Sequence, residues 1–357
     1  MSKQTEQYFL ISLEHLPAKQ EIFPFNLHIY NPLTDSYSLF LHANSPLDKN
    51  KRTFIQMLEN KSGSLAISLR QKKTFLYATN IDPKKIPGLT PYEKHPLEKA
   101  QEIYKLQFEK KREEREENPY LYKIELKRAI LDNNFSTLIE EVRSEILTFS
   151  YNKTPTLSLA IFLCETLLTK DNRTNRIVVF SFILAKELKI KDEEILGQII
   201  CSAYLHHLGF MNLNRSYQKI PYQHLPEKEK SYFRRHGGLT QHLLKKIGLE
   251  IDSSVIDNIL QHHERIDGKG YPYMKTEASI SLNAQIIGVV SHLFDLQAGQ
   301  ISTEKVPLLS SIGALISGTN ILGLENKFSQ CIIESLESIY KVTEQQLSNS
   351  KGEEDGA

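Results

Sequence analysis

Over its first eighty residues the chain alternates apolar and polar positions with a period of two. YFLISL, FNLHIY, YSLFLH, SLAISL and KTFLYA each carry this alternation, which predicts five short strands between Tyr8 and about Thr79. Asn31-Pro32 and Asp35-Ser36 punctuate them as turns. Within Lys49–Asn60 the spacing changes: Phe54, Ile55 and Leu58 share one helical face, so a helix is expected between the third and fourth strands. Pro83, Pro87, Gly88 and Pro91 then interrupt regular structure. From about Tyr120 the stripes become helical, in TLSLAIFLCETLLTK, RIVVFSFILAKELKI, EEILGQIICSAYLHHL, YFRRHGGLTQHLLKKIG and SSVIDNILQHH. Further helices are expected at about 282–296, 303–316 and 323–341. The pattern describes an α+β chain: a small N-terminal α/β domain over residues 1–82, a linker with a charged helix over 83–150, a helical domain over 151–342 and a polar, disordered tail over 343–357.

Composition adds exclusions. Forty-four Lys and Arg stand against 43 Asp and Glu, a formal charge of +1, so the chain is not built to coat a nucleic-acid polymer or an anionic membrane. Its length allows a sizeable core without disulfide or metal staples. Cys164, Cys201 and Cys331 are odd in number, far apart and in apolar surroundings, which fits buried small hydrophobes in a reducing cytoplasm. No apolar run approaches the ~20 residues of a membrane span. MSKQTEQYFLISLEH reaches Glu14 before a long apolar core develops, so no signal peptide is expected. The charged stretch 97–118, LEKAQEIYKLQFEKKREEREEN, reads as a solvated helical linker, with dimerisation through residues 97–150 left open.

Histidine is the uneven residue. Of 12, eight lie between His206 and His292: His206, His207, His224, His236, His242, His262, His263 and His292. The richest segment is HHERIDGKGYP, His262 to Pro272, in which two histidines close a helix and a glycine-containing loop follows. Adjacent histidines do not share a helical face. At a helix end, however, the departing chain can swing the second toward the first. His206-His207 ends another apolar helix and His236 begins a third, so imidazoles from separate helix ends can converge on a metal.

At these residues the sequence resembles the HD-GYP family, whose members carry a helical phosphohydrolase domain and act mainly as cyclic-di-GMP phosphodiesterases. HHERIDGKGYP matches the family's second signature, and the resemblance spans roughly residues 155–300. A softer likeness, through EIFPFNLHIY and the strands after it, links the N-terminal region to a small regulatory domain found before some such modules. The resemblance implies metal ligation by His206, His207, His236, His262 and His263, and ligand contacts from Arg173, Arg265, Lys269 and Tyr271. It implies one or two Fe or Mn ions, with a metal-free form left open.

The first signature is broken. His206-His207-Leu208-Gly209-Phe210 stands where the family has His-Asp, an apolar residue, Gly and Lys, so His207 replaces the aspartate and Phe210 the lysine. The family's first ligating histidine falls on Arg173, and its late aspartate on Ser291, or on His292 after a one-residue shift. By resemblance, one metal's positions hold Arg173, His206, His207 and Ser291, while the second metal's three histidines, His236, His262 and His263, all survive. A bridging carboxylate holds two cations together and offsets their charge, and an imidazole does neither. No catalytic residue is therefore assigned; Arg173, His207, Phe210 and Ser291 mark the degenerate positions. Two functions follow. One is a nucleotide-sensing or partner-docking module in cyclic-di-GMP signalling with little or no hydrolysis, partnered by a cyclic dinucleotide or a GGDEF-type cyclase. The other is an active, metal-dependent phosphodiesterase with a rearranged, one-metal site.

Overall fold

The computed structural model describes residues 7–31, 36–60, 63–86, 120–146, 168–212, 220–246, 251–301, 304–318 and 328–343, with isolated positions between 149 and 164. The chain divides into two compact units, residues 1–110 with 152–168, and residues 111–151 with 169–357.

In the first unit, strands β1 (Tyr8–Ile11), β2 (Leu27–Asn31), β3 (Ser36–Leu41) and β4 (Ser64–Ser68) form an antiparallel sheet in the order β1-β4-β2-β3. Tyr8 pairs with Ser68, His28 with Ala66, and Tyr30 with Tyr37. Alternation sends Phe9, Ile11, Leu27, Leu65 and Ile67 into one apolar cluster, while Leu10, Tyr30 and Ala66 form another. Helix α1 (Lys49–Glu59) starts where Asp48 accepts from the Lys51 amide at 2.9 Å, and it buries Ile55 and Leu58.

The fifth expected strand is a helix. KTFLYA lies within α2 (Lys72–Thr79), which ends at Asn80 in the left-handed region with φ 55°. On a strand, Phe75 and Tyr77 would share a face. Here Phe75 is fully buried against Phe9 and Phe25, while Tyr77 is 92% exposed. Thr79, four residues after Phe75, is buried with it, and its hydroxyl donates to the Phe75 carbonyl at 2.8 Å. Six residues are too few for the alternation to outweigh this tertiary packing.

The second unit is helical: α3 (Leu121–Leu131), α4 (Ser136–Ile146), α5 (Arg173–Glu187), α6 (Glu193–Leu205), α7 (Glu227–Arg234), α8 (His236–Lys246), α9 (Ser253–Gln261), α10 (Leu282–Ala298), α11 (Leu308–Ser317) and α12 (Gln330–Lys341). Helix α10 is its axis. Every residue from Ala284 to Leu296 is buried, the pattern of a helix covered all round, and α5, α6, α9 and α11 pack on it. Ser281 caps its start by accepting from the Ala284 amide, and Gly299 ends it in the left-handed conformation. The helical stretch YFRRHGGLTQHLLKKIG divides at Arg235 into α7 and α8. This break sets His236 at a helix start. The charged stretch 97–118, most of TLSLAIFLCETLLTK and the tail from 344 lie outside the described residues. Among the described residues no helix is long and apolar enough to cross a membrane.

Candidate metal centre

Helices α6 and α9 both stop at a histidine pair. His206 and His262 are the residues that follow the last helical turn, and each is buried to 1% exposure. The start of α8 brings His236, also 1% exposed, to the same place. The approach is tight: a Cβ at Gly209 would overlap the His236 carbonyl, so only glycine lets the His206–Phe210 segment lie against α8. The Gly209 amide donates to the Thr240 hydroxyl at 2.8 Å, which fastens the same contact.

Three rings are locked in one way. The Nδ1 of His206 lies 2.8 Å from the Ala203 carbonyl, that of His236 2.5 Å from Phe233, and that of His262 2.6 Å from Ile259, each three residues back. A carbonyl only accepts, so all three Nδ1 atoms carry the proton and all three Nε2 atoms carry a lone pair. The Nε2 atoms of His236 and His262 nevertheless face each other at 3.1 Å. Two lone pairs cannot bond to each other, so this contact calls for a cation or a proton between them. His263 Nε2 is buried and has no hydrogen-bond partner, a second atom that needs one.

One ligand atom each from His207, His236, His262 and His263 lies within 4.8 Å of all the others. Imidazoles around a tetrahedral ion, with metal–nitrogen bonds of about 2.0–2.1 Å, stand about 3.3 Å apart, so small ring movements would close the group on one ion. In His236 and His262 the Nδ1–H is held by a backbone carbonyl, as it commonly is in a metal-bound histidine. Among the described residues the group contains no carboxylate. Burial holds the imidazoles neutral: His236 is pushed down to about 4 and His206 to about 3, and His207, His262 and His263 fall well below their usual range. Neutral rings are the form that ligates.

His206 stands beside this quartet rather than in it. Its ring centroid is 3.7 Å from that of His207, and its Nε2 lies 3.3 Å from the Ser291 hydroxyl. Ser291 Oγ is also 3.3 Å from His207 Nε2, so this hydroxyl bridges the two rings. His292, next along α10, instead neighbours Phe328. Phe210 stacks on His236 at 4.1 Å and covers it. Arg173 forms an ion pair with Asp295, a buried residue one turn after Ser291, and its charge contributes to lowering His206 and His207. Nothing in the sequence singled out Asp295, because a helix buried on every side has no polar face to betray a partner.

The loop after α9 is drawn in by Glu264. Its carboxylate, 1% exposed, accepts from the Tyr273 and Lys275 amides at 2.6 and 2.8 Å. Tyr271 then stacks on His263 at 4.5 Å. Arg265 is 2% exposed, donates to the His262 and Glu264 carbonyls and lies over the Phe328 ring. Lys269 is exposed. A pocket of about 450 Å³ opens onto the centre, with His236, His262, His263, Tyr271, Arg234 and Arg235 in its wall. Of the four residues expected to contact a ligand, Tyr271 lines this pocket, whereas Arg173, Arg265 and Lys269 do not. Arg234 and Arg235 went unnoticed in the sequence, although they directly precede His236.

Residues 157–320 match the HD domain family. Cyclic di-GMP phosphodiesterase PA4108 of Pseudomonas aeruginosa is 27% identical over 171 residues, 47% of this chain and 38% of that protein. The match therefore spans well under half of that relative's length. Among solved structures, Bd1817, an HDG"Y"P protein from Bdellovibrio bacteriovorus, shares 16% identity over 94% of this chain and 100% of its own, with a TM-score of 0.40.

Proposed function

We propose that the chain is a degenerate member of the HD-GYP family, a nucleotide-sensing or partner-docking module in cyclic-di-GMP signalling with little or no hydrolysis. The observation that carries this reading is the donor set: four imidazoles converge with no carboxylate among them. In metal-dependent phosphodiester cleavage a bound ion lowers the pKa of water and steadies charge on the phosphate. A two-ion centre needs a carboxylate to bridge and partly neutralise its cations. The nearby acidic side chains are otherwise engaged, Asp295 by Arg173 and Glu264 by loop amides. His207, His236, His262 and His263 would hold one ion. An all-imidazole set suits a borderline ion such as Fe²⁺ better than Mn²⁺, which favours oxygen ligands. Ser291 would orient His207, and Arg173 would supply fixed positive charge where the family places its first ligand. The ligand read is a cyclic dinucleotide, the partner a GGDEF-type cyclase or a second copy of this chain, and the compartment the cytoplasm.

A second reading, an active one-metal phosphodiesterase, is favoured by the pocket, whose wall includes His236, His262 and His263. Anaerobic purification with iron or manganese, metal quantification per chain, and cyclic-di-GMP binding and hydrolysis assays separate the two. The module reading expects at most one ion per chain and binding without turnover. Robust metal-dependent turnover, lost in His262→Ala, would establish the second reading instead.

A further inference from the structure

We propose that the pocket fronting the histidine centre is a phosphodiester subsite whose cations are Arg234 and Arg235, with Tyr232 and Tyr273 flanking it for a planar base. The inference rests on the dinucleotide-binding reading and assigns that ligand its contacts. The cavity, about 450 Å³, falls within the ~300–1,000 Å³ of small-molecule sites. Phe210 stands where the family keeps a lysine, and it stacks on His236 instead of offering charge. Arg173 is tied to Asp295, and Arg265 is buried against backbone carbonyls. Positive charge at the pocket therefore comes from the α7–α8 junction.

There, Arg234 Nε donates to the Tyr222 hydroxyl at 2.5 Å and Arg235 Nε to the Ser231 carbonyl at 3.3 Å, so each guanidinium is fixed near its base. Of the two acidic residues on the same helix, Glu227 and Glu229, the first pairs with Lys230. Planar guanidinium forks suit phosphate oxygens. Both also lie over rings, Arg234 over Tyr222 and Arg235 over Tyr232, and of these two rings Tyr232 lines the pocket. Tyr273, also in the pocket wall, is 56% exposed. Gly238 also lines the pocket, and a Cβ there would meet nothing within 4 Å. A helical glycine is unfavourable against larger residues, and no packing contact accounts for this one; what its missing side chain preserves is open space at the pocket wall.

The test is calorimetric titration of the metal-loaded full chain with cyclic-di-GMP and, separately, with inorganic phosphate. The variants are Arg234→Gln/Arg235→Gln and Gly238→Leu, with thermal unfolding as the control for folding. The arginine pair is expected to weaken cyclic-di-GMP binding about 10- to 100-fold. Gly238→Leu is expected to weaken it comparably while the unfolding temperature holds or rises. Unchanged cyclic-di-GMP affinity in both variants overturns the subsite and leaves the dinucleotide reading standing. Phosphate binding that depends on the arginines, without cyclic-di-GMP binding, upholds the subsite and sinks the dinucleotide reading. Binding of neither probe to the wild-type chain overturns both.

Discussion

A methyl group at Gly237 probes how the fold sets the histidine centre. This residue directly follows His236, and a Cβ there would lie 2.9 Å from the Ile259 carbonyl oxygen and 3.6 Å from the Leu260 Cα. That same Ile259 carbonyl accepts from His262 Nδ1 at 2.6 Å and fixes the ring that faces His236. An unstrained carbon–oxygen contact needs about 3.4 Å, so Gly237→Ala must push α8 and α9 apart by about 0.5 Å. Two effects of opposite sign compete. Alanine in a helix is favoured over glycine by about 1 kcal/mol, while overpacking at a tight contact costs about 1–3 kcal/mol. The net expectation is a loss of about 0–2 kcal/mol. Metal affinity is the sharper readout, because disturbing a ligand's outer partner typically costs 10- to 100-fold. The matched control is Gly238→Ala. It sits one residue later with no neighbour within 4 Å, so it should collect the helix gain alone and leave metal binding intact. Both variants would be measured by urea unfolding in EDTA and by competition with a chromophoric chelator for Fe²⁺ or Zn²⁺. Equal metal affinity for the two variants, or a full helix-propensity gain in Gly237→Ala, would refute the claim that this backbone contact positions His262.

Acidification should destabilise the metal-free protein. An unfolded histidine titrates near 6.5 and binds its proton first as the pH falls, whereas burial holds His236 down to about 4 and His206 to about 3. Stability is thus complete above about pH 6.5 and declines toward pH 3; at pH 5 the two residues together cost about 4 kcal/mol. Urea midpoints in EDTA at pH 7.5 and 5.0 check this, and equal midpoints would contradict it. Asp295→Asn leaves the Arg173 charge facing His206 and His207 without its partner; because Arg173 is about one-third exposed, the expected loss is about 1–3 kcal/mol, read by thermal unfolding against the double variant with Arg173→Gln, which should recover part of it. Cys201 is buried and its thiol is pushed up to about 12 by burial, so it should resist thiol reagents in the native state at pH 8, while the exposed Cys331 reacts at once; mass spectrometry of labelled peptides distinguishes them.

Much of the architecture was legible as period. Four of the five alternating segments are strands, and the apolar stripes after Tyr120 that fall on described residues are helices. KTFLYA failed because a six-residue alternation is also consistent with one and a half helical turns, and Phe75 finds its core only with Thr79 on the same side. The helix start at His236 was expected from the sequence and is the start of α8.

The centre divides along a similar line. Sequence alone was enough to bring out the histidines, because HH at two helix ends and H at a helix start are local facts, while the departures at His207 and Phe210 came only from the resemblance. It could not say which imidazoles converge. That depended on the close approach of Gly209 to His236 and on backbone carbonyls that turn Nδ1 inward and leave Nε2 for the centre. Nor could it show that Ser291 rather than His292 faces the rings, that Asp295 is held by Arg173, or that the pocket's arginines are Arg234 and Arg235. Residue identity along a chain specifies which chemistry is available. Which lone pairs and charges meet is decided by packing between helices distant in sequence, and that is a property of the tertiary structure.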